Sequence, residues 1–251
     1  MTYLERYEAG QYVEVWKELS ELGEAVRGTA VIADATAVAR ATMERVATNV
    51  NRLVERLLAQ GFEFGVYPDG TRVPTTPTAI ASPDATSLAD LEELESLAGA
   101  VPLSLKMFWQ VVGGVSLIGR TRGGWPQYSD PLCVVSPRAG IVDFRDYGAT
   151  QVHGAARETF LCPIAPDVLH KDNVSGGAPY SIGLPNTRAD GLVHDEWHGV
   201  DFVPYLRMAI LDWGGFPGLS RASPQEKWRS QAPSHVAPEW LEELTLDLVP
   251  F

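Results

Sequence analysis

The stretch from about Val31 to Gln60 most limits what this chain can fold into. Ala35, Val38, Thr42, Val46, Val50, Leu53 and Leu57 recur there at intervals of three or four residues. That period lines all seven on one stripe of a helix, and Gly61 supplies the residue type that commonly terminates one. Upstream, Tyr12, Val15, Trp16, Leu19 and Leu22 repeat the spacing across Gln11 to Arg27, with Gly23 interrupting the stripe near its end. The two segments predict an N-terminal helical pair.

Downstream the pattern changes twice. Phe62, Phe64 and Val66 alternate with Glu63 and Gly65, which predicts a short strand, and the following YPDGTRVPTTPTAIASPDATS reads as a surface loop or internal linker. Leu88, Leu91, Leu94 and Leu97 predict a helix capped by Ser87, with Glu92, Glu93 and Glu95 facing water. Pro102 then opens a second helix that stops at Gly113 and Gly114. From Val115 to about Pro185 the apolar runs VSLIG, LCVVS, GIVDF, ETFLCPIA and PYSIGL are separated by turn residues, as expected of a mainly antiparallel sheet. In FVPYLRMAILDWGGFPGL, Phe202, Tyr205, Leu206, Ala209 and Ile210 form a helical face with Asp201 as candidate N-cap, and a Gly-Gly turn fixes the exit. PEWLEEL reads as a last short helix. Helices and strands segregated in this way predict an α+β fold, a mainly antiparallel sheet flanked by helices. The expected division is a helical extension over 1–67 packed on an α+β domain over 68–251.

The formal net charge of -12 is spread along the chain, with no basic block or zinc-finger spacing. A negative field disfavours phosphate backbones, so direct nucleic-acid binding is not expected and a basic protein partner fits better. The start MTYLERYEAGQY lacks the basic-then-apolar pattern of a signal peptide, and no run of apolar residues is long enough for a bilayer span, so no membrane association and cytoplasmic residence are the expectations. Cys133 and Cys162 form no CxxC pair and read as packed thiols.

The densest ionisable cluster is Asp190, His194, Asp195, Glu196, His198 and Asp201. On a helix, Asp190, His194, His198 and Asp201 would share a face and could hold zinc or manganese; HDEWH, however, lacks the HExxH order, and Gly191 and Gly199 favour a strand or loop. Asp143 with Asp146, or Glu158 with Asp167, would serve acid-base hydrolysis only if they converged in space. Ser175-Gly176-Gly177 reads as a structural turn rather than an anion site. Neither a nucleophile elbow nor a local His partner for Cys162 is present. No catalytic, cofactor or metal residue is therefore assigned. The aromatics beside glycine turns, Trp109, Trp125, Tyr128, Trp213 and Phe216, either seal the junction of helix and sheet or form a partner-binding patch; they are the candidate binding residues.

The run LADLEELESLAGAVPLSLKMFWQVVGGVSLIG resembles the helix, Leu-Pro turn, helix and Gly-Gly strand entry of the SMI1/KNR4-like, or SUKH, superfamily, with Val101-Pro102 at the turn. Glu95, Pro102, Phe108, Gly113 and Gly114 match the framework, and the resemblance extends loosely over 87–220, where Tyr205, Leu206 and Trp213 fall in the later helix. It implies an α+β fold acting through protein binding, and in bacterial members often immunity against toxins. The extended N-terminus and the WGGFPGL ending depart from the minimal pattern. The leading expectation is a non-catalytic protein-binding module without cofactor, of the bacterial immunity type and facing a basic toxin. The alternatives are a metal-dependent hydrolase built on His194 and His198, and a structural or regulatory scaffold.

Overall fold

A computed structural model describes residues 1–74, 79–148, 159–220 and 239–251. The fold is α+β, with three small antiparallel sheets and helices around them. Helix α1 (Tyr3–Glu8) begins in a capping box between Thr2 and Glu5. The Tyr3 and Leu4 amides donate to the Asp34 carboxylate at 2.6 and 3.1 Å, which ties α1 to the start of the long helix. Helix α2 (Tyr12–Glu21) ends where Gly23 takes a φ of 55°, and a 3₁₀ turn over Gly23–Arg27 follows. Helix α3 (Ile32–Ala59) buries all seven residues of the stripe. Its one polar member, Thr42, accepts the Trp16 indole N–H at 2.9 Å and donates to the Val38 carbonyl at 2.9 Å, so its own hydroxyl is paired within the seam. Fully burying a residue such as Leu53 stabilises the fold by about 1.5–3 kcal/mol.

Helix α4 (Ala85–Ala98) starts from Asp84, not Ser87. The Asp84 carboxylate accepts the Ser87 amide at 2.8 Å while Ser87 Oγ accepts the Asp84 amide at 2.9 Å. Its buried face is Leu91, Leu94 and Ala98, and Leu88 and Leu97 stay exposed, because a strict interval of three drifts around a helix of 3.6 residues per turn. Helix α5 (Leu103–Val111) follows Pro102 and packs on both α3 and α4. It ends at Gly113, where a Cβ would lie 2.1 Å from the Ala81 carbonyl oxygen.

The strands are β1 (Glu63–Phe64), β2 (Ile80–Ala81), β3 (Gly114–Ser116), β4 (Gly119–Arg120), β5 (Cys133–Val134), β6 (Phe160–Ala165), β7 (Tyr180–Leu184) and β8 (Val193–His194). β1 pairs with β4, β3 lies between β2 and β5, and β7 lies between β6 and β8. The Val135 amide donates to the Ile164 carbonyl at 2.8 Å, joining the two three-stranded sheets. Cys162 and Ile164 face the core from β6 while Leu161 faces out, as pleating demands.

GIVDF is not a strand. Its first four residues lie in α6 (Pro137–Asp143) and Phe144 in the π-helical turn that follows; Ser136-Pro137 provides an extended residue followed by a proline at the first helical position, and Gly140 packs where a Cβ would meet Cys162 Sγ at 2.6 Å. The loop after residue 67 also contains β2, a strand too short to show a period. Helix α7 (Phe202–Arg207) continues in π-helical form over Met208–Asp212 and ends in the Gly-Gly turn. At Gly215, φ is 92° and a Cβ would lie 2.4 Å from Leu117 Cδ1, so only glycine lets the turn seat on the core.

Helix α8 (Glu239–Thr245) and the residues after it cross α3. Asn49 grips Val249 through both main-chain groups, at 2.7 and 2.8 Å. Arg45, Arg52 and Arg56 donate to the carbonyls of Pro250, Asp247 and Leu244. Phe251 is buried beneath, with its main-chain oxygen bonded to Arg207. One hydrophobic cluster runs from Tyr7 through α3, α5 and the strands to Phe251.

Candidate functional site

The polar interior centres on Asp130 and Lys171, whose side chains are both fully buried. Lys171 Nζ lies 2.6 Å from Asp130 Oδ1 and 4.5 Å from the centroid of the Tyr180 ring, and the Tyr180 hydroxyl donates to Asp130 Oδ2 at 3.0 Å. Three distant segments deliver these groups. Asp130 sits in a left-handed conformation just before β5, Lys171 belongs to a 3₁₀ turn over His170–Asp172, and Tyr180 opens β7. Burial pushes the Tyr180 hydroxyl far above its ordinary pKa, and the Asp130 carboxylate pushes it further. Tyr205 of α7 is raised by burial, then by Asp130 and Glu196, and its hydroxyl has no hydrogen-bond partner among the described residues. Burial also raises the Cys133 thiol, against the opposing pull of Lys171. An apolar replacement of a buried ion pair is often as stable, so the pair ties three distant segments together without being a large source of stability in itself.

A cleft of about 640 Å³ opens beside this centre, between the segment at Tyr67 and Val73 and the loop over 166–179. Ile118, Cys133 and Val135 also line it. Asp167 organises the loop: Oδ1 accepts the Leu169 and His170 amides at 2.8 and 3.3 Å, and Oδ2 holds His170 Nδ1. A carboxylate on Nδ1 fixes the proton there and leaves Nε2 as the acceptor of the neutral ring. The His170 side chain is 50% exposed and that of Asp167 8%, so the pair is half open to solvent. Asn173, at a φ of 62°, donates to Asp69 at 2.9 Å. That bond and the Thr71 amide hold the exposed Asp69 carboxyl below its ordinary pKa. At Gly177 a Cβ would come within 2.6 Å of the Asp167 carboxyl carbon, so the Ser175-Gly176-Gly177 turn closes over that carboxylate.

The cluster around HDEWH does not share a helical face. His194 is on β8 and His198 follows in a turn. Glu196 accepts the His198 amide at 2.9 Å and holds its Nδ1, while His194 lines a separate cleft of about 290 Å³ with Asp201 and Arg188. Among the described residues no group of three His, Cys, Asp or Glu side chains could hold a metal ion. Asp190 is structural: its carboxylate accepts Ser104 Oγ at 2.6 Å and the Gly191 and Val203 amides at 3.0 Å. It thereby caps α7 in place of the Asp201 side chain, which makes no cap bond. Burial raises its pKa to about 6 against those hydrogen bonds. Asp201 is raised by burial, with Arg188 opposing. Asp143 is raised by burial and then by Asp146, and Asp195 is exposed in a left-handed turn. Asp167 pairs with His170; Glu158 and His153 lie outside the described residues. Burial lifts the Cys162 thiol to about 12, which suppresses the nucleophilic thiolate.

The five aromatics divide. Trp109 is 2% exposed and its indole N–H donates to the Val135 carbonyl at 2.8 Å; Phe216 is fully buried against Phe62 and Trp125. These two rings fill interior space beside glycine backbone and offer no surface to a partner. Trp125 is half-buried and stacks on Trp240 with centroids 4.4 Å apart, and Tyr128 and Trp213 are also half-buried. Sequence reasoning missed Asp130, Lys171, Tyr180 and the bond from His170 to Asp167. The run Pro166-Asp167 before HKDN is a turn signature that marks the loop, but nothing local marks Lys171 as buried.

No family model, curated protein or solved structure matches the chain. No helix among the described residues is long and apolar enough to cross a membrane.

Proposed function

We propose that this chain is a non-catalytic protein-binding module that captures a basic partner, in its most specific form a bacterial immunity protein of the SUKH type. The observation that carries the reading is the placement of charge. Arginines Arg27, Arg45, Arg52, Arg56, Arg120 and Arg207 direct guanidinium groups at main-chain carbonyls of the chain itself, and Lys171 is neutralised inside. Carboxylates such as Glu5, Glu14, Glu21, Glu24, Glu242 and Glu243 remain exposed. A guanidinium bonded to a carbonyl keeps its charge and the buried pair of Lys171 with Asp130 is neutral overall, so the net charge of -12 stands, and with those carboxylates on the surface it steers basic proteins toward the chain. The segment matching the SUKH pattern adds support, since α4, the turn through Pro102, α5 and the Gly113-Gly114 entry to β3 form one folded unit.

The test is co-expression with the product of the adjacent gene. A complex recovered at low salt and weakened as salt rises is the expected result, together with rescue of growth if that product is toxic. Absence of any complex across the salt series overturns the reading.

A further inference from the structure

We propose that the centre at Asp130 and Lys171 encloses a site for one ordered water molecule, held between the Lys171 ammonium, the Tyr205 hydroxyl and the carboxylates of Asp130 and Glu196. The inference is independent of the protein-binding reading and comes from a count of donors and acceptors. The Lys171 side chain is fully buried, and its ammonium carries three N–H donors. Asp130 Oδ1 takes one at 2.6 Å, and the Tyr180 ring, its centroid 4.5 Å from Nζ, receives a second. The third has no acceptor among the described residues, and neither does the hydroxyl of Tyr205, a residue 1% exposed. Asp130 spends one bond on each oxygen, to Lys171 and to Tyr180, although a carboxylate oxygen can accept two. Native interiors seldom leave such groups unmatched, and a buried water making about two to four hydrogen bonds is the usual partner.

Tyr205 stands within electrostatic reach of this centre: Asp130 and Glu196 raise the pKa of its hydroxyl after burial itself does, and Tyr205 in turn raises that of Tyr180. Neither carboxylate bonds the hydroxyl directly, so a bridging molecule is needed to connect them. The charges decide which molecule. An anion would face Asp130 and Glu196, and a cation would face Lys171; a neutral molecule with two donors and two acceptors serves both sides. The cleft beside the centre supplies the entry, since Cys133 lines it and the same thiol feels Lys171 and Asp130. One molecule bonded on several sides belongs to the structure and does not act as bulk solvent. It ties α7, through Tyr205, to the segments that carry Asp130 and Lys171.

The test joins a high-resolution crystal structure of the full chain to the stability of Tyr205→Phe. A solvent peak about 2.7–3.1 Å from Tyr205 Oη, and at similar distance from Lys171 Nζ, is the expected result. Removing the hydroxyl takes a partner from the bound water, so Tyr205→Phe is expected to raise the unfolding equilibrium constant about three- to tenfold in urea. A dry, unpaired hydroxyl predicts the opposite sign, because its removal relieves a desolvation cost that nothing offsets. Absence of the peak, or a Tyr205→Phe chain at least as stable as the unaltered one, overturns the site. If Tyr205→Phe does not fold, the solvent peak in the unaltered chain decides alone.

Discussion

Two interiors of this molecule are built on opposite principles. Along α3 the seam is mostly apolar side chains against apolar side chains, with the Thr42 hydroxyl and the Asn49 amide bonded within it. Around Asp130 and Lys171 the packing is ionic and aromatic, and three loops far apart in sequence meet on a single salt bridge. The first interior tolerates small losses, because each side chain contributes separately through the area it removes from water. The second is conditional on every partner, because a charge left alone in a buried site has no solvent to replace what it lost.

The sharpest way to break the contrast is Lys171→Met. It leaves Asp130 buried and unpaired, and urea denaturation is expected to show a loss of about 3–5 kcal/mol. The double change Lys171→Met with Asp130→Asn recovers part of that, which no pair of substitutions in the α3 seam would do: Asn removes the lone charge, keeps an acceptor for the Tyr180 hydroxyl and tolerates the left-handed backbone. Leu53→Ala in the seam opens a cavity and is expected to cost about 3 kcal/mol, with little dependence on pH. Equal pH dependence in both variants would erase the distinction.

A third measurement concerns Asp190. Its native pKa is about 6 against an ordinary 3.8. Between about pH 4 and pH 6 the folded chain therefore binds more protons than the unfolded chain, so stability falls as pH rises through that window. The contribution is at most about 3 kcal/mol. Stability curves of the chain and of Asp190→Asn across this range give it by difference, the variant losing the slope. A slope of opposite sign in that difference contradicts the burial of this carboxylate. The smallest expected effect is Asn49→Ala, which removes two bonds to Val249 and costs about 1–2 kcal/mol. Hydrogen exchange at the Val249 amide should accelerate in that variant while the Asp130 centre is untouched.

These two interiors also differ in how far the chain announces them. The seven residues of the α3 stripe carry their own period, and every one is buried. Likewise Gly113 and Gly215 mark turns that no side chain could occupy. GIVDF misleads because five residues are too few to separate alternation from a helical turn, and Ser136-Pro137 decides in favour of helix. The candidate site is less visible still. Asp130, Lys171 and Tyr180 acquire meaning only when β5, the His170 turn and β7 come together, and a charged residue in a polar loop ordinarily stays in water. Trp109 and Phe216 show the converse: large rings beside glycines look available for recognition until the backbone they cover is in place.

The arginine and asparagine side chains of α3 that face residues 244–251 read main chain there, not side chains. Their acceptors are made long after α3: roughly two hundred residues must leave the ribosome between Arg45 and Pro250, and loops of that length close slowly. A nascent chain that already has α3 therefore carries a row of unclaimed guanidinium groups until residues 244–251 emerge, which makes their arrival a late step in completing the helical layer.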